Sequence, residues 1–181
     1  MRLFALTAVF VLAALLTAPT ARAMTLTSPD IPPGGAIALE QAFDGGECPG
    51  RNVSPGLAWT DPPEGTKSFA VSMIDPDAPA AGGFWHWWAF DLPAGSTGLA
   101  KGAGSGVALP VGASQGRNDF GPLGYGGPCP PKGKPHHYVI TVYALDIERL
   151  GPEASKSTAD FDAAVRAHAL AKAALVGVFA W

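Results

Sequence analysis

The fold is decided by a strand pattern and the turn that ends it, Ser68-Phe-Ala-Val-Ser-Met-Ile74 and Asp75-Pro-Asp-Ala-Pro79. Apolar side chains alternate along the strand pattern, which places Phe69, Val71 and Met73 on one face. Pro76 lacks an amide hydrogen and has a fixed φ, so a central strand cannot continue through it. The sequence therefore predicts a buried strand that ends with two carboxylates at the rim of a sheet.

Further segments predict strands of the same kind. Aromatic and β-branched residues are enriched in two long segments and in two short ones: Phe84–Leu92, Tyr138–Leu145, Ala36–Leu39 and Leu57–Trp59. The chain has 23 Gly and 18 Pro, and they are scattered through the connections as turn residues. Such connections favour antiparallel pairing over helical crossovers.

The C-terminal region predicts a helix instead. Ser157 or Thr158 can cap it, the Ala-rich run from Phe161 to Val176 can form it, and Gly177 can end it. The predicted fold is therefore mainly β, a two-sheet antiparallel β-sandwich with a C-terminal helix.

The first 23 residues predict a secretory signal peptide. Met1-Arg2 is positively charged, Leu3–Leu16 is almost wholly apolar, and Ala21-Arg-Ala23 supplies small residues for cleavage after Ala23. The apolar run is shorter than the roughly 20 residues of a membrane span. We expect residues 24–181 to form one periplasmic or secreted domain, with no transmembrane segment after signal removal.

Charge argues against some partners of this domain. The full chain has 12 basic and 15 acidic residues, and removing Arg2 and Arg22 leaves 10 and 15, a formal charge of −5. No Lys/Arg run interrupts the acidic balance. Nucleic acid and broad anionic membrane surfaces are therefore not expected as partners, because both require a clustered basic face.

Two cysteines, Cys48 and Cys129, lie in Gly/Pro-rich loops of the exported part. An oxidising compartment allows them to form a disulfide. The alternative is two free thiols in loops, and the spacing alone leaves both open.

Chemistry-bearing side chains cluster around the strand ends. Strand alternation would place Trp85 and Trp87 on one face and His86 on the other with Trp88. By the same rule His136 projects with Tyr138, and His137 points away. Asp75 and Asp77 also allow a plainer interpretation, an Asp-Pro turn whose side chains cap their own backbone.

These motifs together resemble one known family. Asp75-Pro-Asp-Ala-Pro79, His86-Trp87, Gly127-Pro-Cys-Pro-Pro-Lys-Gly133 and His136-His-Tyr138 are similar, in order and spacing, to the phosphatidylethanolamine-binding protein family. The bacterial branch called Raf-kinase-inhibitor-like proteins is the nearest in pattern. Asn52-Val-Ser-Pro55 and Gln115-Gly-Arg-Asn-Asp-Phe-Gly121 extend the resemblance over nearly the whole mature chain.

The resemblance implies a two-sheet β fold with a small anion pocket. The ligand residues that it implies are Asp75, Asp77, His86, His136 and Tyr138, with Gly127, Pro128 and Pro131 shaping the rim. Family members often bring a C-terminal aromatic residue, commonly a Tyr, over the pocket, whereas this chain ends Val178-Phe-Ala-Trp181. Whether this tail covers the pocket is open.

An ionised carboxylate repels an anion, so the two Asp residues need other roles. We expect one of them to orient an imidazole and the other to meet a cation such as ethanolamine. The predicted function is non-catalytic binding of a phosphate or phospholipid head group, without a cofactor, and regulation of an extracytoplasmic partner. Alternatives are a protease or kinase inhibitor that acts by protein contact, and a metal-dependent hydrolase. The sequence allows a monomer or a homodimer.

Overall fold

The computed structural model describes residues 22–181, so the predicted signal peptide lies almost entirely outside the described residues. Ten strands, one 3-10 helix and one α-helix follow in chain order: β1 Thr25–Thr27, β2 Asp44–Gly45, β3 Cys48–Pro49, β4 Leu57–Thr60, β5 Ser68–Asp75, β6 Phe84–Pro93, β7 Gly98–Leu99, β8 Ser114–Gln115, β9 His136–Leu145, the 3-10 helix Pro152–Ser155, α1 Thr158–His168 and β10 Ala169–Phe179.

Two antiparallel sheets form the body of the molecule. The larger has five strands in the order β10-β9-β5-β6-β8, the smaller has the order β1-β4-β7, and β2 and β3 form a short separate hairpin. The main core lies between the two sheets, where Phe69, Val71 and Met73 of β5 join Leu26 of β1 and Trp59 of β4. The predicted β-sandwich and the predicted inward face of β5 are both confirmed.

The five-stranded sheet is buried on its other face as well. Ala70 of β5 and Trp88 and Phe90 of β6 pack against Phe161 and Val165 of α1. Because both faces of β5 and β6 are covered, these strands are almost continuously apolar. This burial explains the aromatic run of β6.

The predicted C-terminal helix is correct only at its start. Ser157 caps α1 by accepting a hydrogen bond from the Asp160 amide, but α1 ends at His168. The following Ala-rich run is β10, which pairs with β9 from Ala169–Leu145 to Phe179–His136. Alanine has a high helix propensity, but long-range pairing with β9 overrides it here.

Gly177 therefore has a different role from the predicted helix end. A Cβ atom at this position would lie 2.7 Å from Ile37 Cγ1 and 2.8 Å from Ile31 Cγ2. The glycine lets the segment around Ile37 approach the end of β10, where Ala36 bridges Val178 in parallel. The strand predicted at Ala36–Leu39 is reduced to this bridge, whereas the one predicted at Leu57–Trp59 is confirmed within β4.

A β-bulge in β6 overturns the predicted alternation of its aromatic residues. Met73 pairs with Trp87 and Ile74 pairs with Trp85, so His86 is the extra residue. Trp85 consequently shares a face with Trp88, at 5.8 Å between ring centroids. Trp87 lies in the main core, on the side of the sheet where the His86 ring meets Tyr138.

Cys48 and Cys129 form a disulfide, with 5.9 Å between their Cα atoms. This bond fastens the end of the β2–β3 hairpin to the Pro-rich loop that precedes β9. Of the two possibilities that the sequence left open, the structure has the disulfide.

Candidate functional site

A cavity of about 160 Å³ opens at one end of the five-stranded sheet. It lies where β5 ends and where β6 and β9 begin, so three central strands deliver side chains to the same place. Asp75, His86, His136 and Tyr138 line it together with Pro131. The structure thus brings together five of the eight residues that the sequence resemblance implies for the ligand site.

Asp75 and His136 form a buried pair at the floor of this cavity. The distance from His136 Nδ1 to Asp75 Oδ2 is 2.7 Å, and the two side chains are 2% and 5% exposed. The other carboxylate oxygen of Asp75 accepts the amides of Asp77 and Ala78, at 2.9 and 3.2 Å. Asp75 therefore caps the Asp-Pro turn and also orients an imidazole, as both sequence interpretations expected.

His86 enters the cavity because of the bulge in β6. Its Nδ1 lies 2.6 Å from the Gly126 carbonyl oxygen, and its own carbonyl accepts the Gly126 amide at 2.8 Å. The ring packs against the aromatic rings of Phe84, Phe120 and Tyr138 at centroid distances of 5.0, 5.6 and 5.1 Å. Burial lowers the pKa of His86, because few polar groups replace the water around the charged ring.

Two polar atoms of the cavity lack hydrogen-bond partners. Among the described residues, His136 Nε2 and Tyr138 Oη are the buried side-chain atoms without one. Burial, and to a smaller extent the charges of Asp75 and Asp77, raises the pKa of Tyr138, so its hydroxyl remains protonated at neutral pH. Buried polar groups are otherwise almost always paired, which makes these two atoms a sign of a binding site.

Asp77 lies outside the cavity lining. Its Oδ2 accepts the His137 amide at 2.7 Å and lies 2.8 Å from His137 Nδ1. The backbone hydrogen bond, followed by the imidazole, lowers the pKa of the Asp77 carboxyl. Both side chains are more than a third exposed, so this pair is a surface feature next to the rim.

Gly127 and Pro128 also lie behind the cavity wall and support it. A Cβ atom on Gly127 would clash with the Gln41 carbonyl oxygen at 2.1 Å, so only glycine allows this close approach. The Gly127 amide donates to Asn52 Oδ1 at 2.7 Å, and the Phe43 amide donates to the Pro128 carbonyl at 3.0 Å. These contacts fix the loop whose next residues, Cys129 to Pro131, form the wall.

The aromatic wall includes residues that the sequence prediction did not assign to the site. Phe84 and Phe120 line the cavity, and Phe120 stacks on Phe43 at 4.0 Å between centroids. Asn118 holds Phe120 in place by accepting its amide at 3.0 Å and donating to the Gly124 carbonyl at 2.9 Å. The run Gln115–Gly121 belonged to the resemblance, but nothing in its spacing pointed to a wall residue.

The C-terminal tail braces the wall and does not line the cavity. Trp181 Nε1 donates to the Pro130 carbonyl at 2.8 Å, and the Gly133 amide donates to the Trp181 carbonyl at 2.9 Å. Lys132 Nζ lies 5.4 Å from the centroid of the Trp181 ring. The tail is thus bonded to the Pro130–Gly133 segment and does not contribute to the cavity lining.

The family relationship follows from comparison with known proteins. A sequence profile described as Phosphatidylethanolamine-binding protein matches residues 27–180. The chain belongs to this family. UPF0098 protein YbcL of Escherichia coli K12 is 45% identical over 172 residues, which cover 93% of this chain and 94% of that protein.

A solved structure of YbcL, described as a new member of the mammalian PEBP family, agrees in fold. Its TM-score is 0.84 at 44% identity, and the match covers 88% of this chain and 99% of that one. LppC, a lipoprotein candidate of Mycobacterium tuberculosis, is 35% identical over 90% of this chain and 75% of its own length. Membership of the family identifies the chain, in general terms, as a binding protein.

Residues 22–181 contain no group of three or more His, Cys, Asp or Glu side chains arranged to hold a metal ion. In the same range, no helix is both long enough and apolar enough to cross a membrane.

Proposed function

We propose that this protein binds a small anion, inorganic phosphate or a phosphorylated head group, in the cavity at the ends of β5, β6 and β9, and that it does so without catalysis. The observation that carries this proposal is the pair of buried polar atoms without partners, His136 Nε2 and Tyr138 Oη. A buried unpaired polar group costs about 1–3 kcal/mol, and a ligand that bonds both atoms removes that cost.

The size of the cavity limits the ligand. Its volume of about 160 Å³ is well below the roughly 300–1,000 Å³ of pockets that enclose drug-sized molecules. A phosphate group fits this space and acyl chains do not, so the acyl part of any bound phospholipid would remain outside. Aromatic and Pro side chains around the rim provide apolar contacts for the carbon atoms next to the phosphate.

The side chains of the cavity favour binding over catalysis. No Ser or Thr and no free thiol occurs among the described residues that line it, and its sulfur atom belongs to the Cys48–Cys129 disulfide. Nucleophilic catalysis by a hydroxyl of Ser or by a thiol would need such a group beside a base. His136 has a carboxylate partner but no neighbouring nucleophile of this kind to activate.

The affinity for a free head group should be modest. Two or three charge-assisted hydrogen bonds contribute about 1.5–3 kcal/mol each before the costs of ordering the ligand. The expected Kd is therefore on the order of micromolar to millimolar.

We place this binding outside the cytoplasm. The Cys48–Cys129 disulfide suits an oxidising compartment, and the similarity to the lipoprotein candidate LppC agrees with export. The proposal includes an extracytoplasmic protein partner that recognises the rim when the cavity holds its ligand. The exposed segments on both sides of the cavity mouth, at positions 79–82 and 131–135, are the surface it would contact.

Titration of the mature protein with inorganic phosphate and with phosphoethanolamine, followed by calorimetry, tests the proposal. His136→Asn removes Nε2, while its amide nitrogen can still donate to Asp75 in place of Nδ1. We expect it to weaken binding at least tenfold. His168→Asn is the matched control, because His168 pairs with Asp146 at the opposite end of β9. Equal affinity in wild type and His136→Asn, or no binding by wild type, would overturn the proposal.

A further inference from the structure

The hydrogen bonds of the two cavity histidines determine which nitrogen of each ring carries a proton. His86 Nδ1 lies 2.6 Å from a carbonyl oxygen, that of Gly126. A carbonyl can only accept, so Nδ1 must donate, and Nε2 of the neutral ring is then a lone-pair acceptor. Burial lowers the pKa of His86, which keeps the ring in this neutral form.

The same reasoning applies to His136. Asp75 Oδ1 is occupied by two backbone amides, and Oδ2 receives His136 Nδ1 at 2.7 Å. An ionised carboxylate can only accept, so Nδ1 carries the proton. In the neutral ring, the unpartnered Nε2 therefore presents a lone pair to the cavity.

With both histidines neutral, the cavity does not suit a dianion. It then offers one acceptor without a partner, Nε2 of His136, and one donor, the Tyr138 hydroxyl. Asp75 adds a negative charge close to the ligand. A fully ionised phosphate ester or sulfate needs donors at these positions, so either the ligand or a ring must bring a proton.

We propose that a dianion enters this cavity together with one proton, which is held on Nε2 of His136. This inference rests on the proposed function of the site. The proton changes Nε2 from an acceptor to a donor and makes the His136–Asp75 pair neutral overall. Anion binding is thereby coupled to proton uptake, and an anion that stays a dianion, such as sulfate, binds more tightly as the pH falls.

The charges around His136 favour it over His86 as the proton carrier. The Asp75 carboxylate at the end of β5 bonds the His136 ring directly, at 2.7 Å. The ring of His86 bonds neutral backbone groups of Gly126 and Gly127, and the carboxylates of Asp75 and Asp119 act on it from a distance.

The other titratable groups near the cavity do not reverse this preference. Tyr138 on β9 stays protonated and neutral, because burial raises its pKa. Lys132 and Lys134 in the loop before β9 are exposed and do not line the cavity.

Calorimetric titration with sulfate tests the proton uptake, because sulfate remains a dianion at all pH values used and cannot bring the proton itself. Binding enthalpies measured at pH 8 in buffers of different ionisation enthalpy give the number of protons taken up. We expect proton uptake that approaches one per sulfate, and an affinity that falls as the pH rises, by at most about tenfold per pH unit. Inorganic phosphate is titrated in parallel.

Three variants locate the proton. His136→Asn should bind sulfate more weakly, without proton uptake, whereas His86→Asn should bind it more weakly with uptake retained. His168→Asn should match wild type in both quantities. Histidine side-chain nitrogen NMR of the wild-type complex should show His136 protonated at both nitrogens, which decides the question even where a variant folds poorly.

Asp75→Asn provides a separate test, because it changes which nitrogen of the neutral His136 ring carries the proton. The two amides of the turn require the Asn oxygen, so the Asn nitrogen faces His136 Nδ1 and donates to it. The proton of the neutral ring then moves to Nε2, which becomes a donor without any uptake. We expect this variant, where it folds, to bind sulfate with an affinity that hardly changes between pH 6 and 8.

The possible results separate the two proposals. Wild-type binding of sulfate without proton uptake, or uptake that persists in His136→Asn, overturns the proton coupling and leaves the anion site intact. Failure of wild type to bind either sulfate or phosphate overturns both. Uptake of about one proton that is lost only in His136→Asn and Asp75→Asn supports the coupling.

Discussion

Two neighbouring histidines make almost the same bond and differ in nearly everything else. His136 Nδ1 lies 2.7 Å from Asp75, and His137 Nδ1 lies 2.8 Å from Asp77. The side chains of the first pair are 2% and 5% exposed, and those of the second are 58% and 39% exposed. The two Nδ1–carboxylate distances are nearly equal, and only burial distinguishes the pair that lines the cavity from the pair on the surface.

The difference arises from the geometry of strands. Successive side chains of β9 point to opposite faces, so His136 enters the cavity and His137 faces solvent. Asp75 is the last residue of β5, and Asp77 lies beyond Pro76 in the turn. Water screens the outer pair, whereas the inner pair holds its charge in a site with little water, where it can influence a ligand.

The largest expected effect comes from breaking the inner pair. Asp75→Ala removes a buried charge partner and two backbone hydrogen bonds of the turn, so we expect the free energy of unfolding to fall by about 3–5 kcal/mol. Asp77→Ala is the matched control and should leave the midpoint of urea unfolding nearly unchanged. Similar losses in the two variants would show that burial is not the deciding factor.

The second effect is on the pH dependence of stability, and it compares His86 in the cavity with His168 outside it. Burial lowers the pKa of His86 below its ordinary 6.5. When the pH falls below this ordinary pKa, His86 of the unfolded chain binds a proton that His86 of the folded chain does not. The free energy of unfolding therefore falls as the pH drops, by up to about 1.4 kcal/mol per pH unit. His86→Asn should remove this part of the pH dependence, whereas His168→Asn should retain it. If the free energy of unfolding, measured with urea between pH 5 and 7, depends on pH equally steeply in wild type and in His86→Asn, the assignment of this effect to His86 is wrong.

The sequence predicted the strands of the large sheet because their apolar, β-branched and aromatic residues are buried on at least one face. It failed after His168, where alanines with high helix propensity form β10 because β9 offers them a partner. It also failed at His86, because alternation assumes a regular strand and a bulge inserts one residue. Neither the β9 partner nor the bulge can be recognised in local sequence.

For the site, the sequence predicted residue types more reliably than their partners. Asp75 and His136 are 61 positions apart and meet only because β5 and β9 are neighbours. Asp77 and Asp75 looked equivalent in the motif, yet Pro76 separates a strand end from an exposed turn. Phe120 escaped prediction because its place in the wall depends on Asn118 and on the loop that the disulfide holds.

A smaller effect, of opposite sign for stability and for binding, is expected when the unpaired hydroxyl of Tyr138 is removed. Tyr138→Phe removes a buried group that has no partner in the free protein, so we expect the free energy of unfolding to rise by about 1 kcal/mol. Phosphate affinity should fall several-fold, because the ligand loses a donor. Urea unfolding and calorimetric titration measure the two quantities. A loss of stability would mean that the hydroxyl already has a partner in the free protein.

The smallest effect is expected at the outer pair, and it is the sharpest test of the comparison. His137→Ala removes an imidazole that bonds a carboxylate as closely as His136 does, but in a position that water screens. We expect sulfate affinity and the number of protons taken up to match those of wild type. A changed proton number would mean that His137 acts on the cavity through Asp77, and the protonated unit would then be both pairs together.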